Sequence, residues 1–111
     1  MESTRQLKVA RLLQKDLAGY FQQNAAKFLG KMISVTAVRV SPDLSFAKVF
    51  ISVFPTQEIP ETLKEVRIHR DEIRYEIAKK VRHQLRKMPE LAFAIDDSLD
   101  YAQHIDDLLK S

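Results

Sequence analysis

From Thr4 to about Phe28, Leu7, Ala10, Leu13, Leu17, Phe21 and Phe28 recur at spacings of three, four and seven, the stripe of an amphipathic helix. Thr4 is the expected N-cap and Gly30 the expected C-terminal stop. The period then changes. Met32–Val40 is rich in Ile, Val and Thr, and Phe46–Phe54 alternates Phe, Lys and Phe with Ala, Val and Ile, so both segments read as strands. Ser41-Pro42-Asp43-Leu44-Ser45 between them has turn chemistry and predicts a hairpin. If Ser41 pairs with Phe46, Val40 faces Ala47, Val38 faces Val49, Thr36 faces Ile51 and Ser34 faces Val53 on the core side. The other side then sets Ala37 opposite Phe50 and Arg39 opposite Lys48, a like-charge pair that needs solvent or an anion.

Pro55 and Pro60 bracket a loop, and Thr62-Leu63-Lys64-Glu65 matches a capping box. Leu63 and Val66 begin an apolar face that Ile73, Ile77, Val81 and Leu85 continue at intervals of four, as one long helix or as two joined helices. Pro89 closes this stretch. Glu90 to Asp96 alternates Leu91, Phe93 and Ile95 with two alanines and reads as a third strand. Asp97 or Ser98 would cap a short last helix with Leu99, Ala102, Ile105 and Leu108 inward. The order predicts one α+β domain over residues 1–111, its helices packed on one face of a three-stranded sheet.

Composition narrows the chemistry. A chain of 111 residues, 45% of them hydrophobic, suits a single core. With no cysteine there is no disulfide, no thiolate metal site and no cysteine nucleophile. Only Gly19 and Gly30 are glycines, which excludes glycine-rich phosphate loops. The N-terminus has no apolar signal core and no run approaches a membrane span, so a cytoplasmic protein without a membrane partner is expected.

Charge is distributed unevenly. Between Lys64 and Lys87 stand nine Lys or Arg residues against four acids, whereas Met88–Ser111 holds six acids and one lysine. A basic stripe on a helix suits a polyanion. The cations of the interface are taken as Arg70, Arg74, Lys79, Lys80, Arg82, Arg86 and Lys87, flanked by Arg39 and Lys48 from the hairpin. Phe46, Phe50 and Phe54 share one strand face and offer a surface on which bases could stack. Catalytic and metal chemistry find little material. On an unbroken helix His69 and His83 would be about 21 Å apart, too far to share an ion. Asp96, Asp97 and Asp100 read as carboxylates at a helix N-terminus rather than as cation ligands. No nucleophile motif occurs. A non-enzymatic protein without metal, cofactor or small-molecule substrate is expected.

Three motifs carry a family resemblance. Val40-Ser41-Pro42-Asp43-Leu44-Ser45-Phe46-Ala47-Lys48-Val49-Phe50-Ile51, then Ile73-Arg74-Tyr75-Glu76-Ile77-Ala78-Lys79-Lys80-Val81, then Met88-Pro89-Glu90-Leu91-Ala92-Phe93 with Asp96-Asp97-Ser98, resemble the ribosome-binding factor A family of bacteria. The opening helix, with Arg5, Val9, Leu13 and Gln14-Lys15-Asp16-Leu17, is similar to its start. The resemblance implies a type II KH-like fold of order α-β-β-α-α-β. It also implies a monomeric assembly factor that binds the free small (30S) ribosomal subunit, assists its late maturation and 16S rRNA 5′-end processing, and supports adaptation to cold. The alternative is a general single-stranded RNA-binding KH-like module with no tie to the ribosome. Two departures stand out. Where the family has an Ala-x-Gly interruption between its central helices, this chain has His69-Arg70-Asp71, and two extra residues fall near His83-Gln84. The extended tail of some members is not expected either.

Overall fold

Ser3, one residue ahead of the expected cap, opens the first helix. In the computed structural model, which describes residues 2–96, the Ser3 hydroxyl accepts from the Gln6 amide at 3.1 Å and the Gln6 carboxamide oxygen accepts from the Ser3 amide at 2.7 Å. This reciprocal capping box starts α1 (Thr4–Gln23). A 3-10 turn, Ala25–Phe28, follows, and Leu29 and Gly30 both take positive φ to end it. The buried face of α1 is Val9, Ala10, Leu13, Leu17, Tyr20 and Phe21, whereas Leu7, expected inside, is 43% exposed. Two residues turn a helix by about 200°, so Leu7 and Val9 cannot both face one sheet.

Both hairpin strands occupy their expected ranges, β1 (Met32–Val40) and β2 (Phe46–Phe54). Near the turn the register is as expected, with Val40 opposite Ala47, Val38 opposite Val49, Arg39 opposite Lys48 and Ala37 opposite Phe50. Farther on it slips. A bulge between Val35 and Ala37 sets Val35 opposite Ile51 and Ile33 opposite Val53, correcting the expected Thr36–Ile51 and Ser34–Val53 pairs. One extra residue inverts the alternation, so Ile33 and Val35 enter the core and Ser34 leaves it. Thr36 sits at the bulge with its hydroxyl hydrogen-bonded to the Asp96 carboxylate and 3.3 Å from the Phe50 carbonyl.

The second helix begins earlier than the sequence motif suggested. Pro60 lies in the first turn of α2 (Ile59–Ile68), where its fixed φ suits a helix start and its missing N–H costs nothing. Thr62 is therefore inside the helix and fully buried, and its hydroxyl has no partner among the described residues. Helix α3 (Arg70–Val81) follows after the single residue His69. His69 breaks the rod at φ −91° and ψ 9°, a conformation open to any L-residue, so the joint needs no glycine. Its ring Nδ1 donates to the Glu65 carbonyl at 2.9 Å and its edge meets Phe28 at 5.5 Å. Lys27 binds Glu72 across the same joint, which lowers the Glu72 carboxyl from its ordinary value and raises the Lys27 ammonium.

Strand β3 (Glu90–Ile95), one residue shorter than expected, pairs parallel to β2 and completes a sheet of order β1-β2-β3. Ile73, Ile77, Val81 and Val66 from the helices meet Val49, Ile51, Leu91 and Phe93 from the sheet in one core with Leu13, Leu17, Phe21 and Phe28. Leu85 closes that core at the edge, half-buried. The last helix expected from Asp97 or Ser98 lies outside the described residues.

Candidate nucleic-acid interface

Helix α3 turns Ile73, Ile77 and Val81 inward, so the residues between them face solvent. The charges of its first turn are paired, Arg70 Nε lying 3.5 Å from the Asp71 carboxylate and Glu72 binding Lys27. Farther along, Lys79 is held twice, 3.4 Å from the Glu76 carboxylate and 5.0 Å above the Tyr75 ring, itself 64% exposed. From there to Lys87 the chain has no acid. Lys80, Arg82, Arg86 and Lys87 are exposed and have no carboxylate partner among the described residues; Arg82 Nε lies 3.3 Å from the His83 ring. Lys80 and Arg82 stand at the C-terminal end of α3, where the helix dipole favours positive charge, and Arg86 and Lys87 follow in the segment that leads to β3.

Arg74 stands apart from this group. Its Nε donates to the Pro89 carbonyl at 3.1 Å and one Nη to the Met88 carbonyl at 2.7 Å, with Glu90 at 3.5 Å. Its guanidinium thus bridges α3 to the entry of β3. The acceptors are backbone atoms, which no charge count along the chain can reveal.

Arg39 and Lys48 are brought together, but on a second surface. They are directly opposite on β1 and β2, on the sheet face that the helices leave open, because Val38, Val40, Ala47 and Val49 beside them point into the core. Each of the like charges has a separate outlet. Arg39 lies 3.7 Å from the Glu2 carboxylate and the Lys48 ammonium lies 5.2 Å above the Phe50 ring. Phe46 and Phe54 share that open face, 44% and 67% exposed. Two further cations that the basic stripe did not single out, Arg5 and Lys8, line a groove together with Arg86 and Lys87. Their i, i+3 spacing on α1 was the available signal.

Among the described residues no three His, Cys, Asp or Glu side chains come together as a metal site would require. No described helix is long and apolar enough to cross a membrane.

Comparison with known proteins decides the lineage. The family described as "Ribosome-binding factor A" matches residues 5–109, almost the whole chain. The chain belongs to the ribosome-binding factor A family. A ribosome-binding factor A of Christiangramia forsetii is 45% identical over 111 residues, covering 98% of this chain and 85% of that protein. The crystal structure of ribosome-binding factor A from Thermus thermophilus superposes with a TM-score of 0.67 at 23% identity, over 81% of this chain and 94% of that one. A Thermus thermophilus ribosome-binding factor A fitted into a map of its complex with the 30S subunit gives a TM-score of 0.62 at 25% identity, over 78% and 89%. The expected KH-like fold holds for this family member, with α1, β1, β2, α2, α3 and β3 in the implied order. It is built without a glycine at the helix joint.

Proposed function

We propose that this protein is a non-enzymatic assembly factor that binds the free small ribosomal subunit in the cytoplasm. It assists late maturation of that subunit and processing of the 16S rRNA 5′ end, and it acts as a monomer. The observation that carries the reading is the set of exposed cations at and just beyond the end of α3 that have no carboxylate partner among the described residues, in a family one of whose members has been fitted into a 30S complex. Lys79, Lys80, Arg82, Arg86 and Lys87 supply the main phosphate contacts, with Arg70 at the start of the helix. Arg39 and Lys48 serve a second contact on the open sheet face, while Arg74 holds the fold rather than the RNA.

Co-sedimentation with purified particles tests this. Free small subunits should retain the protein, and whole ribosomes should retain much less; equal retention by both, or by neither, overturns the proposal. A general single-stranded RNA-binding module is the second reading, favoured by the exposure of Phe46 and Phe54. It requires short unstructured RNAs to compete as well as maturing subunits do.

A further inference from the structure

At the hairpin-turn end of the sheet a groove of about 760 Å³ opens between the first turns of α1, the turn after β1 and the segment that leads into β3. Its volume lies within the range of small-molecule sites. The floor is apolar: Val9 is buried, and Leu12, Leu44 and Leu85 are half-buried against the core. The rim is basic. Arg5 and Lys8 stand on one side and Arg86 and Lys87 on the other, all four exposed and none with a carboxylate partner among the described residues. Asp43 is the one acid of the lining among the described residues, and it is engaged elsewhere. Its Oδ1 accepts from the Ser45 and Ser41 hydroxyls at 2.7 and 2.8 Å and from the Ser45 amide at 3.1 Å. Leu44 adopts a left-handed φ of 62°, unusual for a leucine, and its packing against the core holds it at the floor. No residue of α2 or of the His69 joint lines the groove.

Resting on the RNA-binding reading above, we propose that this groove receives one unstacked RNA nucleotide, its base on the leucine floor and its flanking phosphates between the two cation pairs. The arrangement matches what single-stranded RNA offers: an apolar base that leaves water, on a backbone whose negative charge needs cations on both sides. Four cations and no free carboxylate among the described lining residues disfavour a metal ion. The two arginines add planar guanidinium groups that can stack on a base face or pair with phosphate.

The test uses the whole chain, 15N-labelled, titrated with heptauridylate, with the same oligomer carrying a central abasic residue, and with polyglutamate. Heptauridylate should move the amides of Lys8, Val9, Leu12, Leu44 and Leu85, and removal of the central base should weaken binding about tenfold or more. Arg5→Glu with Lys8→Glu, both on the surface, should lower the slope of log affinity for free subunits against log salt by about one to two while leaving shifts on α3 in place. Shifts confined to α3, or equal affinity for the abasic oligomer, overturn the groove and leave the ribosomal reading standing. Polyglutamate moving the same amides with equal affinity overturns it in favour of an acidic protein partner. Failure of the unaltered protein to bind free subunits overturns the ribosomal reading itself.

Discussion

Arg74 on α3 donates a 2.7 Å hydrogen bond to the carbonyl of Met88, fastening that helix to the segment that enters the sheet's parallel edge strand. A charged donor with two backbone acceptors contributes on the order of 2 kcal/mol. Arg74→Ala should therefore lower the free energy of urea unfolding by about that amount. Arg74→Lys should recover little, since an ammonium cannot span both carbonyls as the planar fork does. An unchanged unfolding midpoint combined with lost particle binding would return Arg74 to the interface.

Lys79, Lys80 and Arg82 test the interface from the other direction. Their replacement together by Glu should leave the circular dichroism spectrum intact, because all three are exposed. Affinity for free small subunits should fall by about a hundredfold or more, and binding by the unaltered protein should weaken by about 0.7 to 0.9 log units per log of salt for each phosphate neutralised.

Thr62 carries a buried hydroxyl without a partner among the described residues. A valine of the same shape removes that desolvated oxygen, so Thr62→Val should be neutral or stabilising by up to about 1 kcal/mol. Urea unfolding decides it: clear destabilisation would mean that the hydroxyl is bonded.

Phe28 is fully buried with its ring edge-on to Phe21 at 5.3 Å, Tyr20 at 6.3 Å and His69 at 5.5 Å. Phe28→Ala should cost about 3–5 kcal/mol, measured by thermal or urea unfolding. It should also release the His69 joint, seen as faster amide exchange at the start of α3.

The Asp43 carboxyl is pulled down to about 2 by hydrogen bonds from the Ser45 and Ser41 hydroxyls and the Ser45 amide. Its folded value lies below its unfolded one, so the turn's contribution to stability is complete above about pH 4 and is lost as pH falls through about 2. Carboxyl chemical shifts should titrate near that lower value, and Ser41→Ala with Ser45→Ala should move the midpoint back toward the ordinary aspartate range. Titration of the unaltered protein near 4 would contradict the hydrogen-bonded turn.

The strands were legible because Met32–Val40 is rich in β-branched residues and Phe46–Phe54 alternates with period two. Thr36 was not. A bulge adds one residue to one strand without altering its composition, and the register beyond it inverts. Capping motifs misled in both directions. Ser3-x-x-Gln6 completes a reciprocal box, whereas three residues after Thr4 stands Leu7, whose side chain has nothing to offer a backbone amide. Thr62-x-x-Glu65 has the right letters, but Pro60 has already begun the helix. At the candidate interface the chain's charge excess pointed to the end of α3, whereas the carbonyls that Arg74 engages are brought near only by folding. Arg5 and Lys8 went unnoticed because their neighbours Arg86 and Lys87 are some eighty residues away in sequence.

Both borders of the sheet are guarded. Along β1, Gln6 donates from its carboxamide to the Val40 carbonyl at 2.9 Å and Gln14 to the Val35 carbonyl at 3.1 Å. On β3 the amides of Glu90 and Asp96 point toward β2, which leaves the backbone of Phe93 facing outward, and Arg67 takes the Phe93 carbonyl at 3.1 Å. A strand with some of its outer acceptors engaged is a poorer template for another chain. Helical side chains that reach over the rim thus blunt both borders of the sheet against edge-to-edge pairing.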